Sequence, residues 1–350
     1  MNNSKINRPL WNQENKRSDN LFWLDKNEIT IEESQLFNES ILNELKPIDL
    51  SIYPELSQVY SNIQHIFSIS QDNTLLTTGA DGAIRDFFIS LSSNHKVIKL
   101  NPTFAMINIY PINLEREFVN IDYEMNKGEL IFNFERIIYE IEKSNQPPLV
   151  IIANPDSPTG SYLDLRYIEL IRRKVENKNG KILIDGTYLL YKGYQEIKNM
   201  MKFSINSNSL LFTLSFSKFP GLAGARIGLI AGPSEQIKKL RSMRPMYEIG
   251  ALQAKILNLA LERWDECINV VNQINKNKEN LECLLIRNNY LITPTEGNFT
   301  LFRSDKKLNK FLNQVCYYRK EFNLDCLSGL SRLSTPPNKF IKILESFLEK

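Results

Sequence analysis

Lys218 ends a run that reads Leu211-Phe-Thr-Leu-Ser215-Phe-Ser217-Lys218, and a Gly/Ala-rich turn then carries Arg226 into a second apolar run, Ile227 to Ala231. An ammonium at the end of a buried strand is costly to desolvate, so such a lysine is paired, neutralised or used covalently. A partly desolvated amine that has shed its proton attacks an aldehyde to form a Schiff base. Arg226, eight positions on, offers a guanidinium suited to a phosphate, and Ser215 and Ser217 add hydroxyl donors. The same residues also read as a strand, a glycine turn and a lysine that snorkels to water. A second chemical position is Asp185, which closes the apolar run Lys181-Ile-Leu-Ile-Asp185. A carboxylate at a strand end of a parallel sheet sits at the ligand crevice; capping the next helix is the other role open to it.

Gly79 and Gly82, in Leu75-Leu-Thr-Thr-Gly-Ala-Asp-Gly-Ala-Ile84, mark a turn running into an amphipathic helix. Free N–H groups at a helix start point outward, and small residues let an anion approach them. The glycines are not spaced as GxGxxG, which argues against a dinucleotide fingerprint, and Asp81 as a plain helix cap is the alternative. Other chemistries lack material. Two histidines, with Cys267, Cys283, Cys316 and Cys326 at spacings that match no zinc pattern, leave little for a metal site or a histidine triad. The formal charge is +3, from 43 basic and 40 acidic residues without a basic block, so no nucleic-acid partner is expected. No stretch approaches ~18 uninterrupted apolar residues, and the first ten residues hold no signal-peptide core. The expectation is a cytoplasmic protein with reduced thiols and no membrane partner.

These residues require a scaffold that brings strand ends together. Short apolar runs begin near 96, 149, 182, 210 and 227, and helical spacing covers 129–143, 235–243, 251–274, 306–316 and 336–349, while 291–302 alternates like a strand. The alternation predicts an α/β fold with a mainly parallel sheet flanked by helices. With 350 residues, 42% of them hydrophobic, the chain supports a large domain over 46–245 and a smaller α+β domain over 246–350, to which residues 1–45 contribute an arm and a part.

From about Leu24 to Arg332 the chain resembles the class I/II aminotransferases of fold type I, and Leu222-Ala-Gly-Ala-Arg-Ile-Gly228 looks most like their histidinol-phosphate aminotransferase branch. The resemblance implies pyridoxal 5'-phosphate, held by Lys218 as a Schiff base. It implies a phosphate cup of Gly79, Ala80, Asp81, Ser215, Ser217 and Arg226, with Tyr53 of Ile52-Tyr-Pro reaching the neighbouring subunit's cofactor in a homodimer. Phe104 would stack on the ring in place of a tyrosine. In Asn154-Pro-Asp-Ser-Pro-Thr-Gly160, Ser157 stands where the family has the asparagine that bonds the ring oxygen, and Asn154 is a second candidate. In Asp185-Gly-Thr-Tyr188, the aspartate would pair with the ring nitrogen and Tyr188 with the ring oxygen, although Gly186 and Thr187 depart from the family's Glu-Ala. Asn27, Arg332 and Arg319 would meet the substrate. The implied reaction moves an amino group between an amine or amino acid, phosphorylated ones included, and a 2-oxo acid. A decarboxylase of the threonine-phosphate type and a non-catalytic protein on the same fold are the alternatives.

Overall fold

A computed structural model describes residues 17–322 and 324–349; the start of the arm expected within 1–45, residues 1–16, lies outside the described residues. In chain order the strands are β1 (Phe22–Trp23), β2 (Thr74–Thr77), β3 (Lys96–Asn101), β4 (Phe118–Asn126), β5 (Glu129–Phe132), β6 (Pro148–Ala153), β7 (Lys181–Asp185), β8 (Leu210–Ser215), β9 (Gly228–Ala231), β10 (Ile292–Thr293), β11 (Phe299–Phe302), β12 (Cys316–Tyr317) and β13 (Ser331–Ser334). Eight of them form one sheet in the order β2-β9-β8-β7-β6-β3-β4-β5. Its centre is parallel, and β9, β2 and β5 join antiparallel at the two sides. The chain is thus an α/β protein with a mostly parallel sheet.

The central strands alternate their side chains between two cores. Val150, Ile152, Ile182, Ile184, Phe212 and Leu214 face one; Leu149, Ile151, Leu183 and Leu211 face the other with Ile84, Phe87 and Phe88 of the helix Gly79–Leu91. Burying each such side chain stabilises by about 1.5–3 kcal/mol, so every central strand is a fixed post for the residue at its end. Register sets Asp185 beside Ala153 and Thr213, and Ser215 beside Gly228. A second sheet, β10-β11-β13, packs Phe302 and Leu333 with Phe340 of the helix Asn338–Leu348. No helix among the described residues is long and apolar enough to cross a membrane.

Three expected elements change. Residues 129–132 are a strand, and the helix runs Phe134–Lys143, because positive φ at Lys127 (49°) and Gly128 (89°) folds β4 back onto β5. The helix expected over 251–274 is two, Ala251–Glu262 and Trp264–Arg287, broken at Arg263, whose ψ is 41°. Residues 291–302 hold two short strands rather than one, β10 and β11, which pair with each other.

Candidate active site

A cavity of ≈ 530 Å³ opens at the ends of β6, β7 and β8. Ala80, Asp81, Phe104, Ser157, Asp185, Tyr188, Ser215, Ser217, Lys218 and Arg226 all line it, so the structure gathers most of the residues singled out above. Lys218 lies three residues beyond the end of β8 and is half-buried; its Nζ donates to the Lys26 carbonyl (2.9 Å). Burial lowers the Lys218 amine to about 8; Glu28 opposes the shift, while Arg332, Arg226 and Arg17 add to it.

One end of the cavity is an anion cradle. Arg226 sits at φ 53°, with Nη1 3.5 Å from Ser217 Oγ, and no carboxylate pairs with it among the described residues. Gly79 does not line the cavity; it makes room, because a Cβ there would lie 3.1 Å from Arg226 Nη2. Behind the cradle, Thr78 Oγ1 donates to Glu248 (3.2 Å), which Arg85 also grips (2.7 Å), fixing where the helix begins.

At the other end stands Asp185, 4% exposed. Its Oδ1 accepts from Thr187 N (3.0 Å) and Thr187 Oγ1 (2.6 Å). Burial pushes Asp185 up to about 6, Thr187 offsets part of that, and Asp81 adds to the rise. Gly186 has no room for the family's side chain, since a Cβ would meet the Phe212 ring at 2.2 Å. Tyr188 is buried, which raises its phenol; its hydroxyl accepts from Asn27 Nδ2 (2.9 Å).

Three expected positions, Asn154, Asn27 and Arg319, are engaged elsewhere. Asn154 engages the Leu163 backbone from both ends of its amide (2.8 and 2.7 Å) and does not line the cavity. Asn27 is buried and acts on Tyr188 and on Ser334 Oγ (2.8 Å to its N–H) rather than facing the cavity. Arg319 pairs by its backbone with Arg332 and lays its guanidinium over Phe322, away from the cavity. Tyr53 is 72% exposed and stacks on Tyr247 at 4.1 Å. Arg332 itself reaches the rim: Nη1 lies 3.5 Å from Ser157 Oγ, Nη2 donates to the Asp25 carbonyl (2.7 Å), and the buried Nε has no partner.

Three residues had not been singled out. Thr187 grips Asp185, and Glu28, paired with Arg17 at 2.5 Å, closes the rim near Lys218. Asp156 lies buried beneath the floor, where Oδ1 accepts from Thr103 Oγ1 (2.8 Å) and Ser157 N (2.7 Å) and Oδ2 from Tyr123 (3.2 Å). Burial pushes it up to about 8. A carboxylate inside a proline-bounded turn was the only signal for it.

The arrangement fits a phosphorylated aldehyde. The cradle that a Cβ at Gly79 would fill, the unpaired Arg226 and the free N–H groups at the helix start could receive a phosphate. An amine, Lys218, and a buried acid, Asp185, line the same cavity.

Comparison with known proteins agrees with this chemistry. The family profile of aminotransferase class I and II matches residues 39–339. A histidinol-phosphate aminotransferase of Sulfurisphaera tokodaii is 28% identical over 283 residues, 80% of this chain and 76% of that protein. The fold is similar to that of histidinol-phosphate aminotransferase from Sinorhizobium meliloti in complex with pyridoxal-5'-phosphate (TM-score 0.78, 16% identity, 94% and 91% of the two chains). It is also similar to L-threonine-O-3-phosphate decarboxylase from Porphyromonas gingivalis (TM-score 0.73, 18% identity, 94% and 100%). The chain belongs to the class I and II aminotransferases: it is a pyridoxal 5'-phosphate-dependent enzyme of fold type I that moves an amino group from an amine donor to a 2-oxo acid.

Proposed function

We propose that Lys218 carries the cofactor covalently and that Arg332 selects an anionic amine donor, with a phosphorylated amino compound of the histidinol-phosphate kind as the substrate class. The observation that supports this best is one cavity lined together by a half-buried amine lowered to about 8, Lys218, an unpaired guanidinium, Arg226, and a buried carboxylate, Asp185. When bound, pyridoxal phosphate supplies an aldehyde that links to amines and an electron-poor ring that takes up the electron pair of a bond broken at the substrate carbon. Arg226, Ser215, Ser217 and the N–H groups of Ala80 and Asp81 bind the phosphate. Asp185, ionised near neutral pH, holds a proton at the ring nitrogen; Tyr188 and Ser157 donate to the ring oxygen, and Phe104 covers the ring and excludes water. Once an incoming amine has displaced it, the Lys218 Nζ, a fraction of which is free amine near neutral pH, would take the proton from the substrate carbon and deliver it to the cofactor's former aldehyde carbon.

In the same reading residues 46–245 bind the cofactor, and 1–45 with 246–350 form the smaller part. Two copies assemble so that Tyr53 reaches the neighbouring subunit's phosphate. The free cysteines accord with a cytoplasmic enzyme, and recovery of the protein from a membrane or extracellular fraction would contradict that placement. The test of function is a screen of amine donors against the holoenzyme, following loss of the visible absorbance of the Lys218-linked cofactor. Anionic donors are expected to discharge it, and a 2-oxo acid to restore it. Release of carbon dioxide without a new amino acid would identify a decarboxylase instead.

A further inference from the structure

We propose that Thr187 is a positioning residue for the reaction: its hydroxyl and N–H together clamp one oxygen of Asp185, leaving the other as the sole oxygen available to the cofactor's ring nitrogen. The inference rests on the function proposed above, because it assigns Asp185 to that nitrogen. Both Thr187 bonds fall on Oδ1, at 2.6 and 3.0 Å, and no hydrogen bond reaches Oδ2 among the described residues. A carboxylate held twice through one oxygen cannot rotate about its Cβ–Cγ bond without losing both bonds, so Oδ2 keeps one direction into the cavity that Asp185 and Thr187 both line.

The clamp is also the counterweight to the surroundings. Asp185 is fully enclosed, and the charged or titratable groups that face it are Asp81 from the helix Gly79–Leu91, Asp156 from the turn after β6 and Tyr188 from its own turn. None is a cation. Thr187 supplies the side-chain donor that favours the charged form, and desolvation with Asp81 opposes it. The neighbour at 186 explains why the donor comes from 187: Phe212 fills the space where any side chain at 186 would go, so this turn has one position from which to reach the carboxylate.

The experiment uses full-length protein with its cofactor. Thr187→Val keeps shape and removes the hydroxyl; Thr187→Ser keeps the hydroxyl; Thr187→Ala repeats the test in a smaller side chain if the valine variant does not fold. Affinity for pyridoxal phosphate is read by absorbance after cofactor removal, and cofactor retention by the holoenzyme is followed from pH 8 to pH 4. Thr187→Val should bind about 10- to 100-fold more weakly, the range for losing a hydrogen bond to a charged group. Its acid-release midpoint should move up by about one pH unit, because Asp185 loses the donor that favours its charged form. Thr187→Ser should return both values to those of the parent. A side chain that only packs would weaken binding without moving the midpoint, and that result, or a parent-like Thr187→Val, overturns the proposal. Asp185→Asn separates the two levels: loss of its midpoint with Thr187→Val unchanged sinks the clamp alone, whereas a parent-like Asp185→Asn sinks the role of Asp185 as well.

Discussion

Arg332 shows how a single side chain advertises a missing partner: its guanidinium is turned toward Ser157 and a backbone carbonyl, its buried Nε is unbonded, and no carboxylate pairs with it among the described residues. Arg332→Ala is expected to keep the cofactor's absorbance and lose about 2–5 kcal/mol in kcat/KM for anionic donors. Steady-state kinetics with anionic and neutral donors check this, and an equal loss for both kinds would remove the charge argument. Asp156 makes a prediction about pH. Its carboxyl titrates near 8 in the fold and near the ordinary value of about 3.9 unfolded, so between those limits the folded chain binds the extra proton. Stability of the cofactor-free protein should therefore fall as pH rises from about 4 to 8, and Asp156→Asn should flatten that slope in thermal melts. A variant as steep as the parent would mean that other groups set it. At this scale Lys218, Asp185 and Arg226 were legible because each borders an apolar run. The engagement of Asn154 was not legible, because Leu163, nine residues on, returns to bond its amide only in three dimensions.

Among the elements, what the sequence displayed was the strand buried on both faces. β6, β7 and β8 appear as short unbroken apolar runs, and their ends are where the chemistry sits. The hairpin β4–β5 was hidden because many of its side chains are exposed, and Leu130 of β5 happens to share helical spacing with Phe134, Ile137, Ile138 and Ile141 of the following helix. The break at Arg263 was equally invisible, since apolar periodicity continues from one helix into the next. The turn after β7 yields a prediction at this level. Gly186→Ala drives a methyl into the Phe212 ring, an overpacking that should cost about 1–3 kcal/mol in chemical denaturation. Phe212→Leu should recover part of that loss in the double variant; strict additivity of the two would show that the ring is not what excludes the side chain.

For the molecule as a whole, an apolar face stands outside the two cores. Leu50, Tyr53, Met243, Met246 and Tyr247 are all exposed, and Tyr53 stacks on Tyr247; exposed apolar surface of this kind marks association. A second copy is the proposed occupant, and Met246→Glu should shift the protein toward monomer in sedimentation while weakening cofactor retention. A monomeric parent with full activity would refute the shared site. Everything in the account turns on one amine. Borohydride reduction of the holoenzyme followed by peptide mapping tests it most directly: the prediction is a pyridoxyl group on Lys218 and on no other lysine, absent in Lys218→Ala. A label on another lysine, or none on a protein that retains the cofactor, would contradict it.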